Sequence, residues 1–385
     1  MTGFDDITIE ELRATGGLKW SAFPDKIGAF VAEMDFGIAP PITRALHAAV
    51  DAGAFGYLPA AVARSMSLAY SEFARDRYRW DVAADDVRPL ADVIAGLEVA
   101  IRRFSAPGSA VIIPTPAYMP FLTVPGALGR DLIQVPMASV GGRYSYDLDA
   151  LDAAFAAGGN LLVLCNPHNP VGRVLDRGEL EAIAEVVARH GGRVFSDEIH
   201  APLVFPGHRH TPYASISDVT AAHTLTAASA SKAWNVPGLK CAQLILSNDE
   251  DRELWTTIGP AAEHGAANLG VIGNTAAYTA GSPWLDDVLT YLDGNRRALD
   301  DLVRQQLPGV RYVPPEGTYL AWLDVRDLEL GERPAQFFLE RAGVAMIDGG
   351  LCGDAGQGFV RYNFATPRPI MERTIEAMAR ALAAR

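Results

Sequence analysis

Four short apolar runs are each followed by residues able to do chemistry. After Ile113 comes Pro-Thr-Pro-Ala-Tyr118, after Leu164 Cys-Asn-Pro-His-Asn169-Pro, after Phe195 Ser-Asp197-Glu-Ile-His200, and after Thr226 Ala-Ala-Ser229-Ala-Ser231-Lys232. If the runs are neighbouring strands, an aromatic ring, an amide, a carboxylate, two hydroxyls and an amine meet at one rim. A carboxylate at the end of a buried strand is unfavourable without a cation or a donor, so Asp197 needs a partner. Lys232 is one candidate, and a protonated ring nitrogen on a ligand is the other. The second describes pyridoxal phosphate, whose pyridinium Asp197 would keep protonated as an electron sink while the Lys232 amine forms a Schiff base. The phosphate would need hydroxyls, backbone amides and a further cation, for which Ser229, Ser231 and Lys240 are suitably spaced.

Each of these residues alone has a plainer reading. A lone Lys232 is a solvated surface lysine, a lone Asp197 a helix cap, a lone Arg361 a surface ion pair, and Asn169 before Pro170 a turn starter. Tyr118 and Tyr57 alone are core aromatics. The order and spacing of the set outweigh those readings. His168, His200, His208 and His210 have no carboxylate or cysteine at a ligand spacing, so no metal site is expected. The stretch from Gly353 to Gly358 lacks the βαβ context of a dinucleotide fingerprint and reads as a flexible loop.

The elements that must position this set follow from the pattern around it. Runs apolar on both faces at 111–113, 161–164, 194–195, 225–226 and 244–246 alternate with helical segments such as 180–189, the signature of a mostly parallel sheet with helices on both faces. Ligands in such sheets bind outside the carboxyl ends of the strands, where the residues above sit. The first forty residues read as an extended arm ending at Pro40-Pro41, before helices that begin at Ile42 and run from Val62 to Tyr78. After Pro283 come longer helices, short strands near 318–323 and 359–364, and a last helix through Ile375, Met378 and Leu382, which together read as a smaller α+β domain. With 385 residues, 49% of them hydrophobic, two domains are expected: a large one over 46–285, and a small one built from the arm, 1–45, and 286–385.

Lys and Arg number 33 against 46 Asp and Glu, a net charge of −13 with no basic block, which argues against nucleic acid or an anionic membrane as partner. The start of the chain has neither the basic nor the apolar region of a signal peptide, and no apolar run reaches the roughly 18 to 20 residues of a membrane span. Cys165, Cys241 and Cys352 are odd in number and far apart, which fits a reducing cytoplasm and no disulfide framework.

The motifs N-P-H-N-P-V-G (166–172), S-D-E-I-H (196–200), S-A-S-K-A-W-N-V-P-G-L-K (229–240) and F-V-R-Y-N-F-A-T-P-R (359–368) resemble those of fold-type I pyridoxal-phosphate enzymes. Together with V-A-E-M-D-F (31–36), F-G-Y (55–57) and E-G-T-Y-L-A-W-L-D (316–324), the chain resembles the MalY/PatB group of cysteine-sulfur β-lyases within the class I/II aminotransferase superfamily. The resemblance implies that fold, with Lys232 as Schiff-base lysine and acid/base, Asp197 at the pyridine nitrogen, and Asn169 and His200 near the ring hydroxyl. It places Tyr118 on the ring face, and Ser229, Ser231, Lys240 and the amides of Val93 and Ile94 on the phosphate. Arg361 would clamp the substrate α-carboxylate, with Asn169 and Ala32 beside it. Tyr57 would cross into the neighbouring site of a homodimer. The implied reaction is α,β-elimination of an S-substituted L-cysteine such as cystathionine; an aminotransferase and a regulatory protein with little catalysis are the alternatives. The chain departs from the group at Lys19-Trp20-Ser21, where the relatives read K-W-D, and at 346–352.

Overall fold

The computed structural model describes residues 3–385. Its centre is a seven-stranded sheet of β1 (Val87–Leu90), β2 (Ala110–Thr115), β3 (Leu132–Pro136), β4 (Gly159–Cys165), β5 (Arg193–Asp197), β6 (Thr224–Ala228) and β7 (Ala242–Leu246), in the order β1-β7-β6-β5-β4-β2-β3. β7 runs antiparallel to β1 and β6 on either side of it, and the remaining pairs are parallel. All five apolar runs singled out in the sequence are strands of this sheet; β1 and β3, at its two edges, carry no comparable signal.

The strands are apolar on both faces because each face meets helices. Ile112, Leu162, Leu164 and Val194 pack with Leu180, Ile183 and Val187 of the Arg177–Arg189 helix, while Val111, Ile113, Leu161 and Phe195 pack with Leu97 and Ile101 of the Val93–Arg103 helix. Alternate side chains thus serve opposite layers, a period of two with no polar phase.

A second, antiparallel sheet follows the 25-residue Ser282–Gln306 helix: β8 (Arg311–Tyr312), β9 (Leu320–Asp324), β10 (Ile347–Asp348) and β11 (Phe359–Asn363), in the order β8-β9-β11-β10. The Arg368–Ala383 helix ends the chain. Among the described residues no helix is long and apolar enough to cross a membrane.

Two expectations need correction. The first forty residues are not simply extended: Ile9–Thr15 is a helix with a complete capping box between Thr8 and Glu11 and a left-handed Gly16 at its end, and Leu18–Ser21 forms a further turn. The chain extends only beyond them, where Ile27–Gly28 pairs in parallel with Val344–Ala345. The glycine-rich stretch at 353–358 is no loose loop either. Gly349–Cys352 and Asp354–Gly356 are successive tight turns, Cys352 is fully buried, and its carbonyl accepts the Ala117 amide at 2.8 Å. A Cβ on Gly349 would lie 2.2 Å from the Gly356 oxygen, and one on Gly356 2.0 Å from the Gly349 oxygen. These glycines permit close backbone approach.

Candidate active site

The carboxyl ends of β2, β4, β5 and β6 open into one cavity of about 350 Å³, lined also by Arg361 of β11 and by Phe30, Val31 and Ala32 of the arm. Ala32, Val93, Ile94, Tyr118, Asn169, Asp197, His200, Ser229, Ser231, Lys232, Lys240 and Arg361 all line it. Tyr57 does not; it is 88% exposed, in the turn between two helices, with its ring 6.1 Å from that of His264.

Asp197 is the last residue of β5 and almost wholly buried. Its Oδ1 accepts the Ile199 amide at 3.0 Å, and its other oxygen has no hydrogen-bond partner among the described residues. Burial pushes its carboxyl up to about 7, against the opposing pull of the Ile199 amide and the Lys232 charge. Lys232 is not its hydrogen-bonding partner: Nζ donates to the Ala32 carbonyl at 3.1 Å. Burial brings the Lys232 amine down to about 8, helped by the like charge of Arg361 and resisted by Glu33 and Asp197. His200 is buried with its Nδ1 unpartnered among the described residues, and burial holds its ring down at about 3, hence neutral.

Arg361 sits in the middle of β11 and is 2% exposed. Its Nη2 donates to the Phe30 carbonyl at 2.9 Å and its Nη1 to Asn169 Oδ1 at 3.1 Å, while Nε has no partner among the described residues. A buried guanidinium with no carboxylate beside it calls for an anion. Tyr118 lies at the start of the Met119–Ala127 helix, its hydroxyl kept protonated mainly by burial.

At the other end of the cavity, the Val93–Arg103 helix points its first turn inward. Ser229 Oγ gives its proton to the Cys241 carbonyl at 2.7 Å and accepts the Ser231 amide at 3.0 Å, so in this arrangement it has no proton left for a phosphate. Lys240 Nζ lies 2.6 Å from Asp92 Oδ2, and Asp92 Oδ1 caps the helix by accepting the Ala95 amide at 2.8 Å. Burial raises the Asp92 carboxyl, but Lys240 and the amides of Ala95 and Ile94 outweigh it, and the group lies below its usual range.

Asp92 escaped the sequence reading, although an Asp directly before an apolar helical stretch is an N-cap signal. So did the residues that hold the arm over the cavity. Asn363 Nδ2 donates to the Val31 and Glu33 carbonyls at 2.6 and 2.7 Å, Tyr319 OH to the Ala32 carbonyl at 2.9 Å, and Asn235 bonds both the amide and the carbonyl of Met34. Lys19 and Trp20 both reach Asp35 at 2.8 Å, Lys19 being 2% exposed. Lys19-Trp20 thus anchors the wall of the site.

The chain is similar to known proteins over nearly its whole length. The chain is 36% identical to the cystathionine beta-lyase of Corynebacterium glutamicum, over 97% of this chain and 99% of that protein, and 32% identical to cystathionine beta-lyase PatB of Bacillus subtilis, over 92% and 93%. Its fold matches cystalysin of Treponema denticola, a structure containing pyridoxal 5'-phosphate, with a TM-score of 0.92 at 30% identity over 100% and 99% of the two chains. Since the aminotransferase class I and II family also matches residues 29–378, which include both sheets and every residue lining the cavity, the chain belongs to that family.

Proposed function

We propose that this protein is a pyridoxal-phosphate-dependent cysteine-sulfur β-lyase, converting an S-substituted L-cysteine and one water into a thiol, pyruvate and ammonia. The observation that carries the reading is the meeting of Lys232, Asp197 and Arg361 in one cavity, in a chain whose full-length relatives include cystathionine β-lyases. The residues present fit the cofactor. A carboxyl stranded at about 7 by burial becomes a stable anion beside a pyridinium, a lysine near 8 offers a neutral amine at physiological pH, and His200 Nδ1 is a buried polar atom without a partner.

Pyridoxal phosphate, when bound, supplies the ring that accepts the electron pair left as the substrate Cα–H bond breaks. Asp197 would hold the proton on the ring nitrogen, and Lys232 would carry the cofactor and move the substrate α-proton. Arg361 orients the substrate through its α-carboxylate, with Asn169 and the Ala32 wall fixing which face of Cα meets Lys232. Tyr118 would stack on the ring, Asn169 and His200 would serve its hydroxyl, and Ser231, Lys240 and the amides of Val93 and Ile94 would hold the phosphate. Ser229 contributes through the Ser231 amide it positions.

We read the enzyme as a cytoplasmic homodimer with Tyr57 entering the neighbouring site. The exposure of Tyr57 outside its own cavity, beside exposed Phe55 and Val50, supports this. The pairing of Ile27–Gly28 with Val344–Ala345 supports a small domain built from 1–45 and 286–385 around a large one of 46–285. The activity is tested by incubating the purified protein with L-cystathionine, with and without a 2-oxo acid. Pyruvate and free thiol should form without the acceptor; strict dependence on the oxo acid, with a new amino acid appearing, would replace the lyase by an aminotransferase.

A further inference from the structure

The roles assigned above leave Asp92 unused, yet its carboxylate lies among the donors named for the phosphate. Its Oδ2 is 2.6 Å from Lys240 Nζ, its Oδ1 takes the Ala95 amide, and it lines the same cavity as Lys232 and Asp197. The ammonium and the first amides of the helix are what an anion seeks at such a place.

The local charge does not balance for two anions. A phosphate monoester carries about −1.5 to −2 near neutral pH, while Lys240 brings +1 and the helix start about +0.5. Asp92 alone offsets about two-thirds of that positive charge; Asp92 and a phosphate together leave an excess of roughly −1 to −1.5. In this arrangement Ser229 does not relieve it, since its hydroxyl already donates to the Cys241 carbonyl. With Asp92 charged, the phosphate therefore has to compete for Lys240 with a partner already in contact with it.

Resting on the cofactor reading above, we propose that Asp92 is a built-in competitor for the phosphate subsite, holding Lys240 until the cofactor phosphate takes it over, and so sets how readily the protein gains and releases its cofactor. The contact is partly solvated, with side-chain exposures of 38% for Asp92 and 59% for Lys240, so the competition is moderate and weakens with salt.

Asp92→Asn separates this role from simple capping, because Asn caps a helix as well as Asp but carries no charge; Asp92→Ser is a second neutral cap should the first variant fold poorly. Affinity for pyridoxal phosphate and for pyridoxal, which lacks the phosphate, is measured by fluorescence titration of the cofactor-free proteins, and release is followed after dilution of the holoenzymes. The neutral variants should bind pyridoxal phosphate on the order of fivefold to tenfold more tightly at low salt and release it correspondingly more slowly. The gap should narrow at high salt, and pyridoxal affinity should be unchanged. Equal or weaker pyridoxal phosphate binding in the variants would overturn the proposal, as would an equal gain for pyridoxal. If the folded wild-type protein binds neither compound, the cofactor reading itself fails, and this inference with it.

Discussion

A desolvated Lys232 should capture an aldehyde with a pH dependence unlike that of a free lysine. An amine near 8 is about one-quarter neutral at pH 7.5, whereas one at its ordinary 10.5 is neutral about once in a thousand molecules. Between pH 7 and 9 the neutral fraction of Lys232 should climb only about tenfold and then level off, while that of a free lysine climbs about a hundredfold with no plateau. The assay is the rate at which the cofactor-free protein captures pyridoxal phosphate across that range, divided by the rate for N-acetyl-lysine amide in the same buffers, so that ionisations of the cofactor itself cancel. Lys232→Ala supplies the background. The ratio should fall about tenfold from pH 7 to 9. A constant ratio would show the amine to be solvated as any surface lysine, and the argument from its burial would collapse.

Arg361→Ala removes a buried cation that ground and transition states share, so KM should rise on the order of tenfold or more, and kcat should also fall as the Cα–H bond loses its alignment; steady-state kinetics with KM unchanged would refute the clamp. Acid should destabilise the cofactor-free protein. Burial holds His168 and His223 at about 4 and His200 at about 3, so below 6.5 the unfolded chain takes protons that the folded chain refuses, which amounts to about 2 kcal/mol for each histidine by pH 5. Asp197, raised to about 7, acts in the opposite sense and returns a similar amount, leaving a net loss of about 3 kcal/mol, seen as a Tm lower by several degrees at pH 5 than at pH 7; a higher Tm at pH 5 would contradict it. Tyr57→Phe subunits, if inactive alone, mixed with inactive Lys232→Ala subunits should regain activity in the heterodimer, and confirmed exchange without recovery would assign Tyr57 to its own subunit.

The rim of the cavity was legible in the sequence because burial on both faces leaves the strands of a parallel sheet no polar phase. Each short apolar run then ends abruptly in polar residues, and Asp197, Asn169 and Lys232 could be read off those ends. The arm was harder. Seven helical residues between Thr8 and Gly16 bury only Ile9 fully, so hydrophobic periodicity is nearly absent and the capping box carries the signal alone. The supports of the Phe30–Asp35 wall lie far along the chain, with Asn363 more than three hundred residues from the carbonyls it holds, and a polar residue in a strand does not announce its partner.

The least legible features were those where one residue type serves opposite ends. Gly349 and Gly356 stand in a stretch whose composition suggests mobility, yet each presses its bare Cα face on the other's carbonyl. Ser229 looks like a phosphate donor until the Cys241 carbonyl, twelve residues away, is seen to take its proton. Lys240 looks like a free cation until Asp92, 148 residues earlier, is found against it. In each case the sequence names a group with the right chemistry, and only the fold decides whether that chemistry is already spent. A binding set read from residue types therefore describes what a site can offer, while its working affinity depends on the internal contacts a ligand must displace, and at the phosphate end of this cavity that contact is an ion pair.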